Sequence, residues 1–173
     1  MLKDLTAEFV RERFTYDPEE GLLRYRTAMS IRCVLQPAGT IAGRVHQEGY
    51  RYITIKGRQY RASRLIWLYM KGEWPPNQVD HEDRKPGNDK WTNLRLANGS
   101  QNKANCGKYK GKPKSSLLKG VQAVQKAKSI RYRAIATKDG VREHLGYFDT
   151  EEEAHAAYLE RSKELHGEFA RAD

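Results

Sequence analysis

The sequence predicts an α+β protein made of two folded parts joined by a basic connector. Three observations carry that prediction. Short segments with period-two alternation, bounded by Gly, Pro, Asn and Asp, recur in both halves. Other stretches place apolar residues at helical spacing. Between the halves, residues 103–119 hold six lysines, no acid and few large apolar side chains, so this segment cannot bury a core.

The elements follow in order. Leu2, Leu5, Phe9 and Arg13 lie at helical spacing and predict an amphipathic helix to about Phe14. Tyr16 to Gly21 is turn chemistry, Leu22 to Arg26 reads as a short strand, and Ile41 to Val45 as another. Gly49 to Ile55 alternates, and Lys56-Gly57 turns it into Arg58 to Arg61. This hairpin sets Tyr50, Tyr52, Arg58 and Tyr60 among basic neighbours; such side chains suit phosphate and sugar contacts, and aromatics equally suit the core of a half-buried sheet. Ala62 to Lys71 is an apolar helix with Leu65, Ile66, Leu68 and Tyr69 as core, stopped by Gly72 and Trp74-Pro75-Pro76.

The second part begins near Gly120. Arg131 to Thr137 is a strand, Lys138-Asp139-Gly140 a turn, and Val141 to Phe148 the return strand. Thr150 caps a helix, Glu153 closes a capping box, and Gly167 ends it. Ala154, Ala157, Tyr158 and Leu165 are its expected buried stripe. The expectation is a small hairpin-rich sheet with one helix packed across it.

The formal net charge is +10 over 173 residues, which favours a polyanionic partner. It is unevenly placed: 17 basic against 12 acidic residues over 1–102, six against none over 103–119, and nine against ten over 120–173. Lys103, Lys108, Lys110, Lys112, Lys114 and Lys119 therefore read both as a solvated tether and as a strap that gains affinity by neutralising phosphates. The longest apolar run, Leu65 to Met70, is far short of a bilayer span, and Met1 to Leu5 lacks the apolar core of a signal peptide, so no membrane partner is expected. Cys33 and Cys106 are too few for a disulfide framework or a four-cysteine zinc site. A reduced, cytoplasmic setting without zinc is the expectation.

The chemistry concentrates in Asp80-His81, Asn93-Leu94-Arg95 and Asn102. Phosphodiester hydrolysis needs a positioned water, a base for its proton, and compensation for charge developing on the phosphate and leaving oxygen. A hard divalent cation supplies the last and prefers oxygen ligands such as the Asp80 carboxylate and the Asn102 amide oxygen. On a strand, Asp80 and His81 point opposite ways, so one can hold metal while the next faces the water.

Val79 to Asn105 resembles the HNH nuclease motif in the variety found in phage-borne homing endonucleases, and Tyr60 to Trp67 with Gly72-Glu73-Trp74-Pro75 is similar to the same subfamily. The resemblance implies a ββα-metal nuclease domain, preceded by a β-hairpin region, over residues 1–102 (motif 79–105). It implies Asp80 and Asn102 as ligands of a single Mg²⁺ or Mn²⁺ ion, His81 as general base, and Asn93 as the residue that braces the loop and orients the base. Ser63 stands where the subfamily often has His, a position taken as structural or DNA-contacting.

Residues 117–171 resemble the Apetala/ethylene-response-factor DNA-binding domain in Leu118-Lys119-Gly120-Val121, Tyr132-Arg133-Ala134, His144 to Thr150 and Glu152 to Tyr158. The resemblance implies a three-stranded antiparallel sheet laid in the major groove, with a helix behind it, over residues 120–173. Alternation gives the same orientation: Tyr132, Ala134 and Ala136 suit the helix side, whereas Arg131, Arg133, Ile135 and Thr137 take the other, as do Arg142 and His144 against Leu145. Seven acids against two bases over 149–168 also turn the helix away from DNA. Gln122, Arg131, Arg133, Thr137, Arg142 and His144 are the implied contacts; plant members usually carry Trp where this chain has His144.

The expected function is a site-specific DNA endonuclease of homing type acting on double-stranded DNA. It would nick as a monomer or cut both strands as a homodimer, leaving 5′-phosphate and 3′-hydroxyl ends. The alternatives are a non-catalytic DNA-binding regulator on a decayed HNH fold and a weakly specific degradative nuclease.

Overall fold

The computed structural model describes residues 5–31, 34–106, 118–126 and 129–171. It is a mixed α/β structure of small antiparallel sheets, and the chain divides into two compact units, Met1–Leu96 and Ala97–Asp173. Among the described residues, no helix is long and apolar enough to cross a membrane.

In the first unit, Thr6 caps helix α1 (Ala7–Arg13), its hydroxyl accepting from Phe9 N at 3.3 Å. The helix stops one residue before Phe14, whose backbone is already extended (φ −128°, ψ 150°). Phe14 opens strand β1 (Phe14–Asp17), which pairs antiparallel with β2 (Leu22–Tyr25), so the expected turn begins later than Tyr16. A second hairpin, β3 (Met29–Ile31) with β4 (Val34–Gln36), is one that the alternation does not mark. The strand expected from Ile41 is reduced to β5 (Arg44–Val45), Ile41 forming only an isolated bridge with Arg24. Strands β5, β6 (Arg51–Ile55) and β7 (Arg58–Arg61) form an antiparallel sheet in that order. Lys56 and Gly57, both at positive φ, make the turn between the last two.

Helix α2 (Ala62–Lys71) has the predicted bounds and ends in the left-handed Gly72 (φ 81°), whose N–H bonds Leu68 O. Its Leu65, Ile66 and Leu68 are fully buried with Val10, Phe14, Leu23 and Ile53, and this cluster is the core of the unit. At roughly 1.5–3 kcal/mol per fully buried aliphatic or aromatic side chain, it is the main term holding the unit together. The Arg11 guanidinium and the Trp74 indole add tertiary bonds to Tyr69 O and Leu5 O. Strand β8 (Gln78–His81) packs on α2 and pairs with β9 (Leu94–Ala97), and a single 3₁₀ turn, Trp91–Asn93, leads into β9.

The second unit begins around α3 (Gly99–Asn105), capped by an Asn98–Gln101 capping box. Residues 103–105, expected in the connector, are its last turn. Strands β10 (Val121–Lys126), β11 (Ser129–Lys138) and β12 (Val141–Phe148) form an antiparallel sheet in that order, and α4 (Glu151–His166) packs across all three. Thr150 and Glu153 form the predicted capping box, and Gly167 ends the helix. Its buried stripe is Ala154, Tyr158 and Ser162, whereas Ala157 and Leu165 are only half-buried. Small residues make that packing close. Ala134, Ala136 and Ala154 are buried, and a β-carbon on Gly120 would overlap the Tyr158 ring.

Candidate active site

Asp80 and His81 are the last two residues of β8, and both are buried, at 6% and 5% exposure. Trp67 and Trp91, with ring centroids 5.3 Å apart, tie α2 to the 3₁₀ turn that enters β9. The Asp80 carboxylate accepts at Oδ2 from Arg95 Nε at 3.1 Å, an ion pair between β8 and β9. His81 Nε2 stands 2.7 Å from Asp89 Oδ1, and Asp89 is itself buried at 2% exposure. The Tyr50 ring lies 5.9 Å from the imidazole, with the Arg61 guanidinium 4.1 Å above Tyr50. Arg61 Nε also donates to the Tyr52 hydroxyl at 3.1 Å. Of the two readings open for these tyrosines, neither is a deep core: both are half-buried beside a cation.

Asn93 closes the loop that separates the strands. Its Oδ1 accepts from Asp83 N at 3.0 Å, while its Nδ2 donates to Asp83 Oδ1 at 2.9 Å and Asn88 O at 2.7 Å. Its backbone carbonyl accepts from Glu82 N at 2.9 Å. One buried carboxamide thus ties residue 83 to 88, and the Asn93 backbone carbonyl holds residue 82, immediately after His81. Burial works against the charged form of Asp83. Bonds from Asn88, the Lys85 backbone and Asn93, with the Lys85 charge, outweigh it and hold the carboxyl below its ordinary value.

Asn102 lies half-buried on α3, in the second unit, where its carbonyl accepts from Cys106 N. Among the described residues there is no group of three or more His, Cys, Asp or Glu side chains able to hold a metal. Asp80 offers carboxylate oxygens and Asn102 an amide oxygen, each a ligand type that suits a hard divalent cation. Ser63 is 3% exposed on the core face of α2, a position that packs and does not reach solvent.

On the sheet of the second unit, register places the predicted contacts on one face. Gln122 is opposite Arg133, Arg133 opposite Tyr147, Ile135 opposite His144 and Thr137 opposite Arg142, while Ala134 and Ala136 point to the helix. The register slips by one between Ala134 and Ile135, Leu145 being the extra residue on β12. Gln122, Thr137, Arg142 and His144 are exposed. Arg133 donates to Gln122 Oε1. Arg131 also bonds within the unit: its guanidinium donates to Phe148 O and Tyr147 O and pairs with Asp149 at 3.1 Å. Lys103 is exposed on α3; Lys108, Lys110, Lys112 and Lys114 lie outside the described residues.

Asp89 and Asp83 are the site residues that sequence reasoning passed over. Both lie inside the 79–105 motif, yet neither follows a periodicity, and their partners are set by the path of an irregular loop. An acid eight residues beyond a histidine is a weak signal by itself.

Residues 60–104 match the HNH endonuclease family. A 107-residue stretch is 36% identical to an uncharacterised HNH endonuclease of Acanthamoeba polyphaga mimivirus, covering 61% of this chain and 52% of that protein. The chain thus spans about half the length of this viral relative. No solved structure matches.

Proposed function

We propose that the protein is a metal-dependent, site-specific DNA endonuclease of homing type with a ββα-metal centre. The observation that carries this reading is the buried Asp80-His81 pair on one strand end, with Asn93 bracing the loop that follows. The family match over residues 60–104 includes all four residues of the constellation.

Asp80 and Asn102 would hold one Mg²⁺ or Mn²⁺ ion, which when bound supplies compensation for charge on the phosphate and the leaving 3′-oxygen. His81 would take the proton of the attacking water as its oxygen bonds phosphorus; the P–O3′ bond breaks and the leaving 3′-oxygen takes a proton from solvent, giving 5′-phosphate and 3′-hydroxyl ends. Arg95 holds Asp80 in place from β9. The face that carries Gln122, Arg131, Arg133, Thr137, Arg142 and His144 would lie on the duplex, in the manner of an Apetala-type sheet, with α4 behind it. The acid-rich α4 supports that polarity, because its charge would be repelled by phosphates. Lys103, Lys108, Lys110, Lys112 and Lys114 would add sequence-independent affinity.

The test is incubation of supercoiled DNA carrying viral genomic inserts with the full chain and Mg²⁺ or Mn²⁺. Metal-dependent nicking that falls on the order of 10²- to 10⁴-fold in His81→Ala is expected. Absence of nicking, or equal nicking by His81→Ala, overturns the reading.

A further inference from the structure

We infer that Asp89 is a positioning residue that sets the tautomer and ring orientation of His81, and that the β1–β2 hairpin is its seat. This rests on the nuclease reading only for its kinetic consequence; the placement of the proton stands on geometry alone. A carboxylate is an acceptor, so Asp89 Oδ1 at 2.7 Å from His81 Nε2 places a ring proton on Nε2, which in the neutral ring leaves the lone pair on Nδ1. Both groups are buried, which removes the competition of water and makes the pairing directional. Asn93, by contrast, fixes the backbone after His81 and does not contact its ring through any of its side-chain bonds described above.

The seat is built from an element distant in sequence. The Tyr16 hydroxyl, on β1, donates to Asp89 O at 2.9 Å. Gly21, in the β1–β2 turn at φ 73°, lies so close that a β-carbon there would stand 2.6 Å from the Asp89 carbonyl carbon and overlap Lys90 N. Only a glycine permits that approach. The hairpin therefore lies directly against the main chain at 89–90 and holds, from outside the loop, the backbone that carries the carboxylate. A buried carboxylate, a hydroxyl clamp on its carbonyl and a glycine contact all converge on one residue that has no other role in the site.

The experiment uses the full chain. Nitrogen-15 spectra of the imidazoles are recorded at a pH where the His81 ring is neutral, in the wild type, Asp89→Asn and Tyr16→Phe. The wild type is expected to show His81 protonated at Nε2, and Asp89→Asn to lose that single-tautomer signature. Single-turnover cleavage by Asp89→Asn is expected to fall at least about 10²-fold with DNA affinity unchanged, by analogy with a triad aspartate replaced by asparagine. A wild-type ring protonated at Nδ1, or an Asp89→Asn protein with the same ring signature and the same rate, overturns the inference. Tyr16→Phe, which keeps the carboxylate, decides the matter if Asp89→Asn does not fold: broadened His81 signals support the seat, and an unchanged ring and rate overturn it. If the wild type cleaves no DNA, the nuclease reading fails while the ring spectra still decide the role of Asp89.

Discussion

Arg95 Nε donates to Asp80 Oδ2 at 3.1 Å, with the two side chains 13% and 6% exposed. A buried ion pair of this kind contributes little net stability over an apolar pair, yet removing one member leaves a buried charge without its counterion. Arg95→Ala is expected to destabilise the first unit by about 3 kcal/mol, measured by urea denaturation. Arg95→Met, which restores volume without charge, should lose a similar amount, because Asp80 is left without its partner. The double variant Asp80→Asn with Arg95→Met should recover much of the loss.

The same pair bears on cation binding. An ion that binds the folded state alone raises stability by mass action, about 2.7 kcal/mol at 100 times its Kd. Mg²⁺ or Mn²⁺ is therefore expected to raise the melting temperature of the wild type and to leave that of Asp80→Ala unmoved. An equal rise in both proteins removes Asp80 from the proposed ligand set.

Asn93→Ala deletes one acceptor and two donor bonds from a buried side chain. A loss on the order of 2–3 kcal/mol is expected, since the partners on Asp83 and Asn88 are left to find water. Hydrogen exchange localises it: the Asp83 amide should exchange faster, whereas amides of β11 should not change.

Asp83 supplies a pH dependence with a definite sign. Its folded carboxyl titrates below the ordinary value, so the unfolded chain binds the proton more readily. The stabilisation is present in full above the ordinary carboxylate range, roughly pH 4, and is lost as pH falls through the lowered folded value. Asp83→Asn should flatten the acid limb of the stability–pH curve while leaving neutral pH less affected.

On the sheet of the second unit, exposed and committed arginines should separate. Arg142→Ala is expected to leave stability within about 0.5 kcal/mol and to weaken DNA binding, lowering the salt slope by about one. Arg131→Ala should cost stability too, because its guanidinium bonds two carbonyls of β12 and Asp149. Calorimetry with binding titrations at several salt concentrations tells the two apart.

What the sequence makes legible is local. Gly72 after α2, the Thr150–Glu153 box of α4 and the Lys138-Asp139-Gly140 turn each carry their signal within a few residues, and the structure has all three where they are expected. The fold away from such signals is not legible. Phe14 sits on the helical side of a periodic stretch, yet its side chain packs at 5.4 Å from Tyr25 as a strand residue, because the partner strand outweighs the local pattern. Leu165 fits the stripe of α4 by spacing, and Ser162 is buried instead, where a small side chain suits a helix lying close to alanines. In the site, Asp80, His81, Asn93 and Asn102 stand out through their order, whereas Asp89 emerges only once the loop has a path.

The bracing of that loop by Asn93 has a thermodynamic consequence. Its bonds run entirely between protein groups, from Asp83 and Asn88 to one carboxamide. The conformational entropy of ordering residues 82–93 is therefore lost when the chain folds, and an arriving ion or duplex need not supply it. On the proposed nuclease reading, chelator treatment is expected to abolish cleavage while the near-ultraviolet dichroism stays the same: the loop keeps its shape whether or not an ion is bound.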